Sequence, residues 1–372
     1  MLSEVQVENY RSILSPALRL ELRPLTILTG PTAAGKSALL EALALVHWLA
    51  GSGSAFSDAR GPIKVEYHEN LWPIVDPARI MRLSLECRPS TEPTLRYTFE
   101  AGNAREIQSA RWKSGAEPEI DAKSLPPDRL KAFRMSIPPL YHVGLPRGSF
   151  RLHKAAGVRI THVGSGGEHT EEVVMELSRP QRRDQMDLLQ RWYAMLLVTD
   201  IGGRWDSGNL IALEYKDSWF GKYLPIPCAS YGQRQALPVL AQLAAAAEGD
   251  TVLLEEPETS LHPEAQQRMA DIIADAVAHR RQIVLTTHSQ DLLLSFQKPL
   301  RDGVIADSQI GCYSLTRDPA DGGTRAKEDK FAEAKFIIGW PPHLSQAERG
   351  LERRADPGAF PEVNQNQEGA GG

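Results

Sequence analysis

A short apolar run, Leu25-Thr26-Ile27-Leu28-Thr29, leads directly into Gly30-Pro31-Thr32-Ala33-Ala34-Gly35-Lys36-Ser37, and Ala38-Leu39-Leu40-Glu41-Ala42-Leu43-Ala44-Leu45 follows at once. This is the stretch that most restricts what the chain can fold into. The aliphatic and β-branched first segment predicts a buried strand, and the Ala/Leu-rich third segment predicts a helix. Glycines between them let backbone N–H groups turn inward, and the helix N-terminus adds partial positive charge at the same point. The pattern G-x-x-x-x-G-K-[ST] between a strand and a helix is a phosphate-binding loop. Gly30, Pro31, Thr32, Ala33, Ala34 and Gly35 form its cradle, Lys36 is expected to reach the β- and γ-phosphates, and the Ser37 hydroxyl is expected to ligate Mg²⁺. The expected cofactors are ATP and Mg²⁺.

Three segments in the second half supply what such a loop needs. Val252-Leu253-Leu254 reads as a buried strand ending in Glu255-Glu256-Pro257-Glu258. A carboxylate at the end of that strand serves as a metal ligand, and a second one orients the attacking water. Glu255 is expected in the first role and Glu256 in the second. Where Asp is usual, Glu255 is a longer arm that still offers a hard oxygen. Leu285-Thr286-Thr287-His288 ends a further strand, placing His288 where it can donate a hydrogen bond to a γ-phosphate and sense its loss. Ser230-Tyr231-Gly232-Gln233 opens a helix. Ser230 can simply cap that helix, but a helix N-terminus with a small hydroxyl and a glycine also suits a γ-phosphate presented by a facing subunit. Both roles are open together.

In chain order, from Ser230 through Glu255–Ser260 to His288, the segments resemble the signature, Walker B, D-loop and switch histidine of ABC-class ATPases, specifically the AAA-type members of the OLD/RecF/SMC-like group. Val5-Gln6-Val7-Glu8-Asn9-Tyr10-Arg11-Ser12 resembles that group's opening strand and N-F-[RK]-S turn. Its phosphate loop usually has Asn where Thr32 stands. Glu255-Glu256-Pro257-Glu258 with Leu261-His262-Pro263 is close to its E-E-P-E-x-x-L-H-P, and Thr287-His288-Ser289 matches its T-H-S. Gly232-Gln233-Arg234-Gln235-Ala236-Leu237-Pro238 is similar to one subgroup's signature, and residues 141–147 and 164–168 resemble segments recurring there. The resemblance covers residues 1–50 and 137–295. It implies a head that dimerises head to tail around two ATP molecules. Lys36, Ser37, Glu255 and Glu256 would act in one subunit, while Ser230, Gly232 and Gln233 close on the other subunit's nucleotide. Hydrolysis would open the dimer and move an attached partner or DNA.

The expected fold class is α/β: a P-loop NTPase head of ABC type with a mixed central sheet, an antiparallel β subdomain and a helical insertion. One head is expected over residues 1–355, with 1–50 and 220–315 as nucleotide-binding core and 51–219 as β subdomain plus helical insertion. Residues 2–28 alternate as a hairpin does, and Met81-Arg82-Leu83-Ser84-Leu85-Glu86-Cys87 and Leu95-Arg96-Tyr97-Thr98-Phe99-Glu100 alternate as antiparallel strands. Residues 104–136 read as loop and short helix, and Pro180 should split the helical pattern of 169–198. Gly311-Cys312-Tyr313-Ser314-Leu315 reads as an edge strand. A Gly-, Gln- and Asn-rich tail, 356–372, is expected to be disordered.

Among 372 residues, 42% are hydrophobic and 24% charged, enough for a substantial core and against a largely disordered chain. The net charge of −5 gives no global attraction to nucleic acid or anionic membrane, so any DNA-binding surface must be local. Arg179, Arg182, Arg183 and Arg191 make one basic face, read either as solvated or as a nucleic-acid or partner contact. No span of transmembrane length and no secretory signal are visible. Cys87, Cys228 and Cys312 lack metal-ligand spacing and are expected as free buried thiols of a cytoplasmic protein. The stretch after His288 is short for a Toprim nuclease domain, and Asp318 and Asp321 are wrongly spaced for one, so a nuclease would have to come in trans. The functional expectation is an ATP-hydrolysing, ATP-dependent homodimer in DNA maintenance or anti-phage defence, working through a partner or on DNA, away from membranes. A transporter's nucleotide-binding subunit is disfavoured by the long stretch between Ser37 and Ser230. A non-hydrolysing ATP-gated interaction module stays as the third reading.

Overall fold

Apolar strands with no polar face need cover on both sides. β3 (Leu25–Thr29), β13 (Thr251–Glu255) and β14 (Gln282–Thr287) are of this kind and lie together in the middle of a six-stranded sheet. The computed structural model describes residues 1–52, 79–88, 93–102, 107–155, 157, 160–197, 199–206, 210–217, 219–329, 331–332 and 335–336. The sheet order is β16 (Thr324–Asp329), β15 (Ile310–Arg317), β3, β14, β13, β8 (Leu140–Val143), all parallel except β16. Thr29 pairs with Thr287, Thr286 with Glu255, and Leu254 with Val143. The C-terminal ends of β3, β14, β13 and β8 therefore share one edge, where open α/β sheets bind ligands.

Alternate residues on these strands enter two separate cores. Leu25, Ile27, Val252, Leu254, Ile283 and Leu285 face one, and Leu28, Leu253 and Val284 face the other. The first core is roofed by α3 (Thr170–Leu177), α4 (Arg183–Leu197), α5 (Tyr231–Ala245), α6 (Pro263–Ala278) and α7 (Gln290–Ser295). A small sheet of β9 (Lys154–Ala155), β10 (Ile201–Asp206), β11 (Leu210–Lys216) and β12 (Tyr223–Pro225) flanks these helices. The second core holds α1 (Lys36–Ser52), which is apolar nearly all round because it is covered on both sides. Beyond it lies an antiparallel sheet ordered β2 (Leu18–Glu21), β1 (Leu2–Glu8), β4 (Met81–Cys87), β5 (Leu95–Ala101), β6 (Ile107–Ser114), β7 (Ile120–Asp121). Tyr97 and Trp112 pack there with ring centroids 5.0 Å apart. Among the described residues no helix is long and apolar enough to cross a membrane.

The α/β class with a mixed sheet, and the break at Pro180 between α3 and α4, stand as expected. Several boundaries differ. β8 lies inside the stretch read as insertion, yet it pairs with β13 and completes the nucleotide-side sheet. β1 and β2, read with the core, belong to the antiparallel sheet, and only β3 crosses over. β15 is interior rather than an edge, because β16 covers its far side. The run Ile107-Gln108-Ser109-Ala110-Arg111-Trp112-Lys113-Ser114 has little apolar periodicity and reads as loop, but pairing along β5 holds it as strand β6. Cys228 is exposed, in contrast to buried Cys87 and Cys312. The tail 356–372 lies outside the described residues.

Candidate functional site

The phosphate loop leaves the C-terminal end of β3 and returns as α1, with Lys36 the first helical residue. Lys36 is only 5% exposed, and its Nζ donates to the carbonyls of Gly30 at 2.8 Å and Pro31 at 3.0 Å. These are neutral partners, and burial pushes its ammonium down to about 8, opposed by Glu256 and Glu258. A buried cation held only by carbonyls is a site that favours an arriving anion. Gly35 has φ +102°, and a Cβ there would lie 2.4 Å from Thr324 Oγ1, so the loop is pressed against the start of β16. Thr324 Oγ1 donates to Ala34 O at 3.0 Å, and Arg317 Nε to Ala33 O at 2.8 Å. The β15–β16 hairpin thus holds the outside of the loop.

Glu255 ends β13 and Glu256 follows at φ +41°, a left-handed conformation costing about 1–2 kcal/mol for a non-glycine residue. Its N–H donates to Thr286 O at 3.0 Å and its carbonyl accepts from Thr259 N at 3.0 Å. The turn directs the Glu256 carboxylate across the edge of the sheet, 3.4 Å from His288 Nε2. Burial and the neighbouring Lys36 cation lower the His288 imidazolium, against the pull of Glu256, which favours a neutral ring that can donate one hydrogen bond. His288 is held from behind by Glu258, whose Oε1 accepts from Thr287 Oγ1 and from the His288 N–H. The Glu255 carboxylate turns the other way, 3.4 Å from Nε2 of buried His142 on β8.

A cavity of about 760 Å³ opens on this edge, within the size range of small-molecule sites. It brings together Thr32, Ala33, Gly35, Lys36, Ser37, Glu256 and His288 from the sequence-predicted set. Arg11, Ser12, Leu14 and Arg317 add walls that motif reading did not assign. Gly30, Pro31, Ala34 and Glu255 do not line it. Among the described residues no group of three or more His, Cys, Asp or Glu side chains could hold a metal unaided. Mg²⁺ takes one or two protein oxygens and completes its shell with phosphate and water; the Ser37 hydroxyl, at the start of α1 on the cavity wall, is one such oxygen, while the Glu255 carboxylate at the end of β13 lies outside the lining, beside His142.

Ser230, Gly232 and Gln233 are not in the cavity wall. They form the N-terminus of α5: Ser230 Oγ accepts from Gln233 N at 3.3 Å, and Gln233 Oε1 accepts from Ser230 N at 2.9 Å, a reciprocal capping box. Ser230 is solvent-exposed nonetheless. Gly232 packs on the turn at 258–261, the segment that resembles a D-loop, since a Cβ there would lie 2.7 Å from Ser260 O. Behind this turn sits Arg147, which the motifs did not single out as functional. It is 3% exposed and donates to Gln235 O, Glu255 O and Glu256 O, each at 2.8 Å. Glu258 and Arg147 act on backbone or on neighbouring polar groups, and no spacing rule marks such contacts.

The basic face is largely engaged within the molecule. Arg179 pairs with Glu176 at 2.7 Å, Arg182 donates to Ala245 O at 2.9 Å, and Arg191 pairs with Asp275 at 2.8 Å. The side chains of Arg179 and Arg191 stay 53% and 60% exposed in these pairs.

A family model described as "AAA domain, putative AbiEii toxin, Type IV TA system" matches residues 25–295. No curated protein sequence matches the chain significantly. Among solved structures, an Smc head with an extended coiled coil bound to the C-terminal domain of ScpA, from Pyrococcus furiosus, aligns with TM-score 0.60 at 11% identity, covering 95% of this chain and 99% of that one. An SmcHead bound to the C-winged helix domain of ScpA gives 0.55 at 10% identity, covering 90% and 98%. The SMC head domain from Thermotoga maritima gives 0.51 at 12% identity, covering 89% and 99%. At these identities the likeness is one of fold: the chain has the P-loop head fold of SMC ATPases.

Proposed function

The chain belongs to the family described as "AAA domain, putative AbiEii toxin, Type IV TA system", and on that premise we propose that it binds and hydrolyses ATP as a head-type ATPase that closes into a dimer around two nucleotides. The observation that carries this reading is the single cavity in which Lys36, Ser37, Glu256 and His288 converge from three different strand ends. Lys36 and the loop N–H groups hold the β- and γ-phosphates. Mg²⁺, when bound with ATP, neutralises phosphate charge; Ser37 and Glu255 are the residues that would hold it. Glu256 orients and deprotonates the attacking water, and neutral His288 donates to the γ-phosphate, its position kept by Glu258.

Dimerisation is supported by where α5 begins. Its N-terminus is exposed and outside the chain's own cavity, so the positive end of the helix is open to a second copy's γ-phosphate, with the Gln233 N–H held meanwhile by Ser230 Oγ. Opening and closing of such a dimer would serve DNA maintenance or anti-phage defence through a partner protein. Two of the similar heads were solved bound to a domain of ScpA, which supports a head that works on a protein partner.

Glu256→Gln tests both halves of the reading. The carboxamide keeps the shape but cannot take a proton, so ATP should bind without turnover. With Mg·ATP, light scattering should then show a doubling of mass over the nucleotide-free protein. A variant that stays monomeric at saturating Mg·ATP overturns the dimer, and one that hydrolyses at the wild-type rate overturns the role of Glu256.

A further inference from the structure

Arg147 carries a buried charge whose hydrogen bonds in the fold run to neutral carbonyls. Nη1 donates to Gly144 O at 3.2 Å and Glu255 O at 2.8 Å, Nη2 to Glu256 O at 2.8 Å, and Nε to Gln235 O at 2.8 Å. In return the Gln235 side-chain amide donates to Arg147 O. Burial pulls the guanidinium down to about 10, with Glu258, Glu255 and Glu256 opposing, so it remains a cation at neutral pH. Stability alone does not call for such a group, since an apolar residue of similar volume fills a buried site at lower desolvation cost. What the planar fork does is join two elements that lie far apart in sequence.

One element is the peptide after Glu256, whose left-handed conformation aims the catalytic carboxylate into the cavity. The other is the first turns of α5, whose N-terminal residues are assigned above to a second copy's nucleotide. Pro238 deepens the junction: it has no N–H for Arg234 O, and Gly148 packs so close to that carbonyl that a Cβ would lie 2.5 Å from it. Gly232 meanwhile rests on Ser260 O. Signature helix, D-loop and catalytic turn are thus joined through backbone contacts with Arg147 at the centre.

We propose that Arg147 is a positioning residue that links the two nucleotide sites of the dimer. A γ-phosphate docking on the α5 N-terminus of one subunit tilts that helix, and the shift passes through Gln235 O and Arg147 to the Glu255–Glu256 backbone of the same subunit. Glu256 is then aligned in its own site only when the opposite site is filled. This inference rests on the two-copy reading above.

Two variants probe the link from its two ends. R147K keeps a cation but cannot span three carbonyls, and Gln235→Met removes the return bond while leaving Arg147 in place. Phosphate release is measured against ATP concentration for wild type and both variants, with Mg·ATP binding and mass measured in the Glu256→Gln background. Mg·ATP affinity should stay within about threefold while kcat of R147K falls on the order of 100-fold, a split that marks misalignment rather than lost binding. The Hill coefficient, approaching 2 in wild type, should fall to about 1 in both variants. Glu256→Gln alone judges the underlying dimer, so a failure there is distinguishable from a failure of the link. If that variant dimerises and R147K retains wild-type kcat and cooperativity, Arg147 has no such role. Affinity, kcat and thermal stability falling in step in R147K would make Arg147 merely structural and overturn the proposal. Should R147K not fold, Gln235→Met decides: cooperativity lost at preserved affinity sustains the link, and cooperativity unchanged removes it.

Discussion

Lys36 shows how far the fold alters one side chain. In a free peptide its ammonium titrates at about pH 10.4, but burial beside the Gly30 and Pro31 carbonyls pushes it down to about 8. Phosphate anions restore the charged form, so bound ATP must raise this value. Below pH 8 the lysine is charged with and without nucleotide, and affinity is flat. Above it, binding takes up a proton, and affinity falls by up to about tenfold per pH unit. Calorimetry in two buffers of different ionisation enthalpy should show uptake near zero at pH 7 and approaching one proton at pH 9; no uptake at pH 9 would contradict the buried-cation account. At this scale Lys36, Ser37, Glu256 and His288 are legible from the chain, because their chemistry needs fixed residue types after fixed strands. Glu258 and Arg147 lie in segments that carry the resemblance, but what they hold is not legible, since their contacts are to a threonine hydroxyl, to amides and to carbonyls that any residue could supply.

Elements begin where local chemistry predicts. Ser230 and Gln233 cap α5 reciprocally, His262 caps α6 with Pro263 behind it, and Ser289 caps α7. Gly232 has a packing role that its motif does not announce. Gly232 gives room for the Ser260 carbonyl of its own D-loop, itself in a left-handed residue at φ +65°. Gly232→Ala must push these two segments apart. Overpacking of this kind lowers stability by about 1–3 kcal/mol, read as a lower urea midpoint. ATP-driven dimerisation of the Glu256→Gln protein should weaken further in the double variant, because the α5 N-terminus and D-loop move together. An unchanged midpoint would mean that the close approach is absent in solution.

The whole molecule is closed by pieces from opposite ends of the chain. The β15–β16 hairpin reaches back to the phosphate loop through Thr324 and Arg317, and Thr324 Oγ1 lies 2.9 Å from Ser12 Oγ. The P-loop is therefore held on its outer side by residues nearly a chain length away. Thr324→Val keeps the shape and removes the hydroxyl, leaving Ala34 O without that donor. A lost bond of about 1 kcal/mol should weaken ATP binding roughly fivefold with the fold retained. Equal affinity by titration would show that the loop holds its conformation without the hairpin. What the sequence determined by itself was the strand–loop–helix at 25–45, the apolar strands, the helix caps and the residue types that meet at the cavity. Each of these follows from steric and hydrogen-bonding preferences that act over a few residues. Tertiary structure decided which strands lie side by side. It moved β8 into the nucleotide sheet and β15 into its interior, and it brought Arg147 to the carbonyls of Glu255, Glu256 and Gln235. Those contacts depend on register between distant segments and on backbone groups common to every residue, so no local pattern encodes them.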